Sequence, residues 1–197
     1  TSEAAVYGRA DVATTLDDRL RAGAVPVAVY GLNRTALPLA ATLAGTTGNV
    51  VAADTDEGLV EAVRAGEYPY TDVDGVGTML AETTASADLA LTTSRSQAAA
   101  AARAHVVSLS TPMDGGPDLS DLRDTLSAVA RGLTAGDLVV VESTVPVGTC
   151  RAELYPILVE ESSLAPGQFG FAFTPQRFPS SGLRGLESDH NRVVAGI

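Results

Sequence analysis

Residues 27–39 of this 197-residue chain read VAVYGLNRTALPL, and Asp54 follows at the end of the next apolar run. Four strand-forming residues lead into a glycine and then into a helix-forming stretch, which is the frame of a G-x-G-x-x-G turn. Gly31 stands at the first glycine position, whereas Asn33 and Ala36 stand at the second and third. The stretch therefore predicts a nucleotide-binding fold and, in the same residues, leaves open whether a nucleotide is bound.

Short valine-rich runs alternate with helix-forming segments along the rest of the chain. Strands are predicted at residues 27–30, 49–53, 89–93, 105–109, 138–141, 169–173 and 193–196. Helices are predicted at residues 34–44, 57–65, 96–103, 118–131 (capped by Asp118 or Ser120) and 147–161, with a loop at 68–77. Continuous apolar strands separated by helices are typical of a parallel sheet covered on both faces. Since crossovers are right-handed, we expect an α/β, Rossmann-like, doubly wound, mainly parallel sheet. Residues 1–24 are predicted to form an N-terminal arm or helix before one domain at 25–197.

The charge of the chain limits its partners. The formal net charge is −11, and all 13 basic residues are arginine. A field of this sign repels phosphate backbones, so nucleic acid is not an expected partner. The acidic, lysine-free, alanine-rich composition resembles that of salt-loving archaea, with a GC-rich genome as the alternative explanation. No apolar run reaches the ~18 residues of a membrane span and no secretion signal is seen, so we expect a cytoplasmic protein without a membrane partner.

Cysteine and histidine are scarce. Cys150 is the single cysteine, which excludes a disulfide framework and a cysteine metal cluster. His105 and His190 are far apart, without H-x-x-H or H-E-x-x-H spacing. The sequence therefore predicts no metal site.

The turn contains the first candidate binding residues. In an intact turn the second glycine lets the backbone approach the pyrophosphate, and N–H groups at the helix start hold the phosphates. Alanine is a tolerated replacement at the third position, but the Asn33 side chain stands where phosphate would approach. Arg34 could offset this by offering a cation. The motif leaves two hypotheses open: Gly31, Asn33 and Arg34 contact a cofactor, or the fold has kept its turn and lost its ligand.

Asp54 is the second candidate. It ends the second strand, 23 positions after Gly31, as expected of the acid that hydrogen-bonds the adenosine ribose and favours NAD over NADP. The alternative is a helix N-cap, which aspartate also favours.

Three later segments narrow the class of protein to which the chain could belong. They are STPMDGGPDLS at residues 110–120, ESTVPVGT at 142–149 and TPQR at 174–177. In this order after the turn, they resemble the NAD-binding half of the UDP-glucose/GDP-mannose dehydrogenase family, with the UDP-N-acetylmannosamine dehydrogenases closest in appearance. The resemblance runs from about residue 25 to 197, and STVPVGT is its most specific piece. Other two-domain dehydrogenases, of the 3-hydroxyacid or 6-phosphogluconate type, share the expected fold, but STVPVGT is not expected in them.

The resemblance implies a function for the chain and roles for several residues. Such enzymes, of polysaccharide biosynthesis, oxidise a sugar primary alcohol to a carboxylate in two NAD-dependent steps through a thiohemiacetal on cysteine. It implies NAD as cofactor, a UDP-sugar as substrate of the full-length enzyme, and a homodimer. The residues implied at the nicotinamide are Ser110, Thr111, Pro112, Ser143 and Thr144. Thr144 matches the threonine that helps position a catalytic water. Ser143 and Thr144 could instead cap the following helix.

Two departures from the family weaken the expectation of activity. Gln176 stands where the family usually has a glutamate that assists water attack, and glutamine cannot take a proton; alternatively it is only a loop residue. The family's catalytic cysteine and lysine lie in a second half without counterpart here, and Cys150 does not match their context, so we expect it to be structural. The chain resembles an excised domain or a truncated product, inactive alone. The competing hypothesis is a degenerate paralogue without NAD, acting in assembly or regulation.

Overall fold

A single mixed sheet forms the centre of the molecule. The computed structural model describes residues 5–8, 14–70, 75–112, 116–175 and 193–197. In those ranges the sheet order is β3-β2-β1-β4-β5-β6-β7. The strands are β1 (Val27–Tyr30), β2 (Val50–Ala53), β3 (Leu89–Thr92), β4 (Ala104–Val107), β5 (Leu138–Val141), β6 (Gly170–Phe173) and β7 (Ala195–Gly196). Strands β1 to β6 are parallel, and β7 is antiparallel to β6. The predicted Rossmann-like fold is confirmed, and the strand order reverses between β1 and β4.

Both faces of the sheet are covered, as its apolar strands require. Consecutive residues of β1 point to opposite faces: Val27 and Val29 belong to one apolar cluster, Ala28 and Tyr30 to the other, and all four are buried. The helices are α1 (Leu16–Arg21), α2 (Ala36–Thr47), α3 (Glu57–Arg64), α4 (Val76–Ala85), α5 (Arg95–Ala101), α6 (Ser120–Gly132) and α7 (Tyr155–Glu161). Residues of α2, α3 and α4 lie in the first cluster, and those of α5, α6 and α7 in the second. No helix in the described ranges is long and apolar enough to cross a bilayer.

Two helices differ from the prediction. The helix α4 was not expected, because Gly75 and Gly77 at its start resemble a loop. Its inward residues Val76, Leu80 and Thr83 nevertheless have helical spacing and are buried. The helix expected at 147–161 is shorter, and a π-helical turn at Cys150–Leu154 precedes α7.

The π-helical turn has a physical cause in the sequence. Pro156 has no N–H for the carbonyl of Ala152, four residues earlier. The N–H of Tyr155 instead bonds the Cys150 carbonyl, five residues earlier. The helical residues begin at Thr149, two residues after the expected start at Val147.

The N-terminal residues pack beneath the sheet. The N–H groups of Val6 and Tyr7 donate to the Gly136 carbonyl, just before β5. The buried Arg19 of α1 donates from Nη2 to the Ala5 carbonyl at 2.7 Å. Helix α1 lies inside the arm or helix expected at residues 1–24, of which residues 1–4 and 9–13 are outside the described ranges.

A polar cluster extends from the amino edge of the sheet, at Arg103 and Asp137, to Tyr30 at the carboxyl end of β1. Asp137, fully buried, accepts the Thr134 N–H at 2.7 Å and lies 2.8 Å from Nε of Arg103. The ring of His105, also fully buried, is 3.1 Å from the Tyr30 hydroxyl through Nδ1. Burial raises the pKa of Tyr30, so its hydroxyl stays protonated. These groups link β1, β4 and β5 to one another. The candidate site lies at the carboxyl edge of the same strands.

Candidate functional site

A cleft of about 240 Å³ opens at the carboxyl edge of the sheet, where the strand order reverses. Ligands of doubly wound sheets bind at such a point. Six of the predicted residues line it: Asn33, Arg34, Ser110, Thr111, Ser143 and Thr144. Four further lining residues were not predicted: Thr35, Ser108, Leu109 and Glu142.

Gly31 allows β1 and β4 to approach each other at the base of the cleft. Its φ is +102°, and a Cβ there would lie 2.6 Å from the Ser108 carbonyl oxygen and 3.1 Å from Cδ2 of Leu109. Its N–H donates to the Ala53 carbonyl at 2.8 Å. Only glycine combines this backbone conformation with such close contact.

Asp54 is held by backbone donors on both carboxylate oxygens. Oδ2 accepts the Leu32 N–H at 2.8 Å, and Oδ1 accepts the Asp56 N–H at 3.0 Å. The N-cap of α3 is Asp56, whose Oδ1 accepts the Leu59 N–H at 3.0 Å. The cap interpretation of Asp54 is therefore wrong. Its carboxylate keeps lone pairs beyond the two in use.

Two tyrosines after α3, absent from the sequence prediction, reach back to the turn. The Tyr70 hydroxyl donates to the Leu32 carbonyl at 3.1 Å, and the Tyr68 ring packs edge-on against Tyr70 at 5.7 Å. Burial, assisted by the charges of Asp54 and Asp56, raises the pKa of Tyr70, so its hydroxyl remains a donor. No sequence signal marked these residues, because the loop that carries them has no motif.

Asn33 is bound at both ends of its carboxamide. Its Oδ1 accepts the N–H of Thr35 at 3.0 Å, the Thr35 hydroxyl at 2.7 Å and the N–H of Ala36 at 3.0 Å. Its Nδ2 donates to the Ser108 carbonyl at 2.6 Å. The backbone oxygen of Asn33 accepts the Leu37 N–H at 3.0 Å, so this residue has the contacts of an N-cap for α2.

Arg34 extends from the same turn and is exposed. Burial raises the pKa of Tyr68, and the positive charge of Arg34 partly offsets this effect. The guanidinium is therefore near the tyrosine loop as well as the cleft.

Hydroxyl groups join the carboxyl ends of β4 and β5. The Leu109 N–H donates to Oγ of Ser143 at 2.8 Å, and the Thr111 hydroxyl donates to the Thr144 carbonyl at 2.8 Å. Neither Ser143 nor Thr144 caps the next helix, because the helical residues begin only at Thr149. That alternative is wrong, and Ser143 instead fixes one strand end to the next.

Pro112 does not line the cleft, although its neighbours Ser110 and Thr111 do. Both Ser110 and Pro112 are exposed, and the Pro112 carbonyl accepts the Asp118 N–H at 2.9 Å. Gln176 lies outside the described residues. Cys150 is half-buried beyond the cleft, and burial raises the pKa of its thiol, which opposes a role as thiolate nucleophile.

Glu142 was missed although its position marked it. It follows β5 directly, is 3% exposed and lines the cleft. A position at the carboxyl end of a parallel strand is the signal that could have found it. Within the described ranges, no group of three or more His, Cys, Asp or Glu residues could hold a metal ion.

The strand order, the cleft at its reversal and the Gly31 turn define a Rossmann-type dinucleotide-binding domain. The family model of the UDP-glucose/GDP-mannose dehydrogenase family, NAD binding domain, matches residues 25–196. The chain belongs to this family.

Relatives and solved structures agree with this assignment. UDP-N-acetyl-D-glucosamine 6-dehydrogenase of Pseudomonas aeruginosa is 30% identical over 173 residues, covering 86% of this chain and 39% of the relative. The structure of a UDP-glucose dehydrogenase from the archaeon Pyrobaculum islandicum superposes with a TM-score of 0.78 at 29% identity, over 87% of this chain and 40% of that one. The UDP-D-ManNAc dehydrogenase of Pyrococcus horikoshii gives 0.79 at 26% identity, over 87% and 41%. The chain thus spans about two fifths of the length of these proteins.

Proposed function

We propose that this chain is the NAD-binding unit of a cytoplasmic UDP-sugar 6-dehydrogenase, which oxidises a sugar primary alcohol to a carboxylate for polysaccharide biosynthesis. The observation that carries the proposal is the Asp54 carboxylate, fixed at 2.8 Å by the N–H of Leu32, the residue before the cleft residue Asn33. It combines a rigid acceptor for ribose hydroxyls with the strand reversal at which dinucleotides bind.

The adenosine side of the site fits NAD. The backbone donors fix the Asp54 carboxylate and leave lone pairs for two hydroxyls. A 2′-phosphate would meet this negative charge, so NAD is favoured over NADP. Tyr70 keeps the Leu32 carbonyl in place and thereby supports the backbone that holds Asp54.

The nicotinamide side also fits. NAD, when bound, supplies the hydride acceptor. The bonds from Leu109 to Ser143 and from Thr111 to Thr144 give this wall of the cleft a fixed shape. Thr144 is exposed at the strand end, where its hydroxyl could orient a water. The carboxyl group of Glu142 in the same wall suits a ligand that carries positive charge there.

Turnover requires more than this domain. Gln176 can orient a water by hydrogen bonding but cannot take its proton. Cys150, half-buried and with a raised thiol pKa, is poorly suited as a nucleophile. We therefore propose that the chain binds NAD and does not by itself oxidise UDP-sugars, and that its substrate and dimer contacts belong to the full-length enzyme.

A second candidate is a degenerate member that binds NAD weakly or not at all. The contacts of Asn33 favour it, since they occupy N–H groups at the start of α2 where phosphates bind in this fold.

Calorimetric titration with NAD and NADP in high salt tests the proposal. We expect NAD to bind more tightly than NADP, and Asp54→Asn to weaken NAD binding by about 10-fold. Asp56→Asn is the matched control, since it changes the cap of α3 and leaves the Asp54 carboxylate in place. Equal binding of NAD by wild type and Asp54→Asn contradicts the ribose role. Sustained NADH formation from UDP-sugar and NAD contradicts the expected inactivity.

A further inference from the structure

The Asn33 carboxamide oxygen makes the contacts that a phosphate oxygen would make. It accepts the N–H groups of Thr35 and Ala36, both at 3.0 Å, and the Thr35 hydroxyl at 2.7 Å. These donors stand at the start of α2, a helix of 12 residues that follows directly on the dinucleotide turn. In this fold the pyrophosphate is held at that helix end.

The amide nitrogen of the Asn33 carboxamide is also hydrogen-bonded. Nδ2 donates to the Ser108 carbonyl at 2.6 Å, at the carboxyl end of β4. Since β1 and β4 flank the strand reversal, the side chain fastens one wall of the cleft to the other. A pyrophosphate at the helix end and the carboxamide in this position would compete for the same donors.

The backbone does not force this arrangement. In the described ranges, Ala87 is the one non-glycine residue with positive φ, so Asn33 sits in an ordinary conformation. The carboxamide is therefore held by its hydrogen bonds and by no local strain. It can be exchanged for another acceptor if that acceptor binds the same donors more strongly.

We propose that Asn33 is an internal ligand of the pyrophosphate site, which occupies the phosphate-binding N–H groups in the free protein and must rotate away before a dinucleotide binds. This inference rests on the proposed NAD function and adds a determinant of affinity that the glycine of an intact turn lacks. The apparent affinity for NAD equals the intrinsic affinity multiplied by the fraction of molecules in which the Asn33 side chain is displaced.

The size of the effect follows from the bonds to be exchanged. An N-cap and one further, part-buried hydrogen bond together correspond to roughly 30-fold in an equilibrium constant. We expect Asn33→Gly to bind NAD about 30-fold more tightly than wild type. Asn33→Asp keeps the size and the acceptor but adds negative charge and loses the donor to Ser108, so it should bind NAD more weakly than wild type.

Amide hydrogen exchange gives a readout that does not depend on activity. In nucleotide-free wild type, the amides of Thr35 and Ala36 should be protected. In Asn33→Gly they should exchange at least 10-fold faster and regain protection when NAD is added. Asn49→Ala is the matched control, since the Asn49 carboxamide bonds the Gly23 carbonyl at 2.9 Å, away from the cleft.

The outcomes separate this inference from the function on which it rests. Tighter NAD binding by Asn33→Gly, weaker binding by Asn33→Asp and unchanged binding by Asn49→Ala support it. If folded wild type and Asn33→Gly bind NAD equally, the NAD function stands and the internal-ligand proposal is overturned. If Asn33→Asp binds like wild type, the side chain acts only by its size, and the proposal is again overturned. If neither wild type nor Asn33→Gly binds NAD, the proposed function fails and this inference fails with it.

Discussion

Replacing Gly31 by alanine should lower the free energy of unfolding by more than the cost of the positive φ alone, because the new Cβ also collides with the backbone of β4's carboxyl end. Gly31 has a φ of +102°, which an L-residue adopts at a cost of roughly 1–2 kcal/mol. The new Cβ would also lie 2.6 Å from the Ser108 carbonyl oxygen, a backbone atom that cannot rotate away. Forcing β1 and β4 apart adds about 1–3 kcal/mol. We expect a total loss of roughly 2–5 kcal/mol in the free energy of unfolding.

Gly148 provides the matched control. Its φ is +91°, close to that of Gly31, but a Cβ there would meet nothing within 4 Å. Gly148→Ala therefore has the same backbone cost, about 1–2 kcal/mol, and no collision. The effect of alanine on the unfolded chain is common to both variants and cancels in the difference.

Urea unfolding followed by far-ultraviolet circular dichroism measures this difference. The chain contains no tryptophan for fluorescence, and urea, unlike guanidinium, does not screen the net charge of −11. If Gly31→Ala loses no more stability than Gly148→Ala, the close approach of β4 to the turn does not determine the choice of glycine, and the reasoning is wrong.

Three further outcomes are expected. Asp137→Asn leaves the mostly buried Arg103 without its counter-charge and should cost about 3 kcal/mol in urea unfolding. The control Asp121→Asn, at an exposed carboxylate paired with Arg95, should cost under about 1 kcal/mol, and equal losses would contradict the burial argument. Because burial raises the thiol pKa of Cys150, iodoacetamide should alkylate it more slowly near neutral pH than in the unfolded chain, with the rate rising as pH increases; a faster reaction in the folded protein would overturn this. Since the net charge is −11, the urea midpoint should rise as KCl increases from about 0.1 to 1 M, and an unchanged midpoint would count against charge repulsion as a cost.

The positions of the strands could be predicted from the sequence, because short apolar runs between helices have few other ways to be buried. Residues 27–30 and 138–141 were predicted to the residue. The helix α4 and the π-helical turn were not, because they depend on packing and on one missing N–H at Pro156. Helix propensities and hydrophobic periodicity within a short window do not predict these two features.

For the site, the sequence by itself determined the family, the turn and the candidate acid at the end of β2. These are local features, since a strand, a glycine and an acid at a set spacing lie on one continuous unit. The tertiary structure alone decided what the candidates contact. It shows that Asp56, and not Asp54, caps helix α3. It also places Asn33 in hydrogen-bond contact with the carbonyl of Ser108, which is 75 positions away in the sequence. Such contacts exist only once parallel strands distant in sequence end side by side, because their carboxyl ends then meet in one cleft.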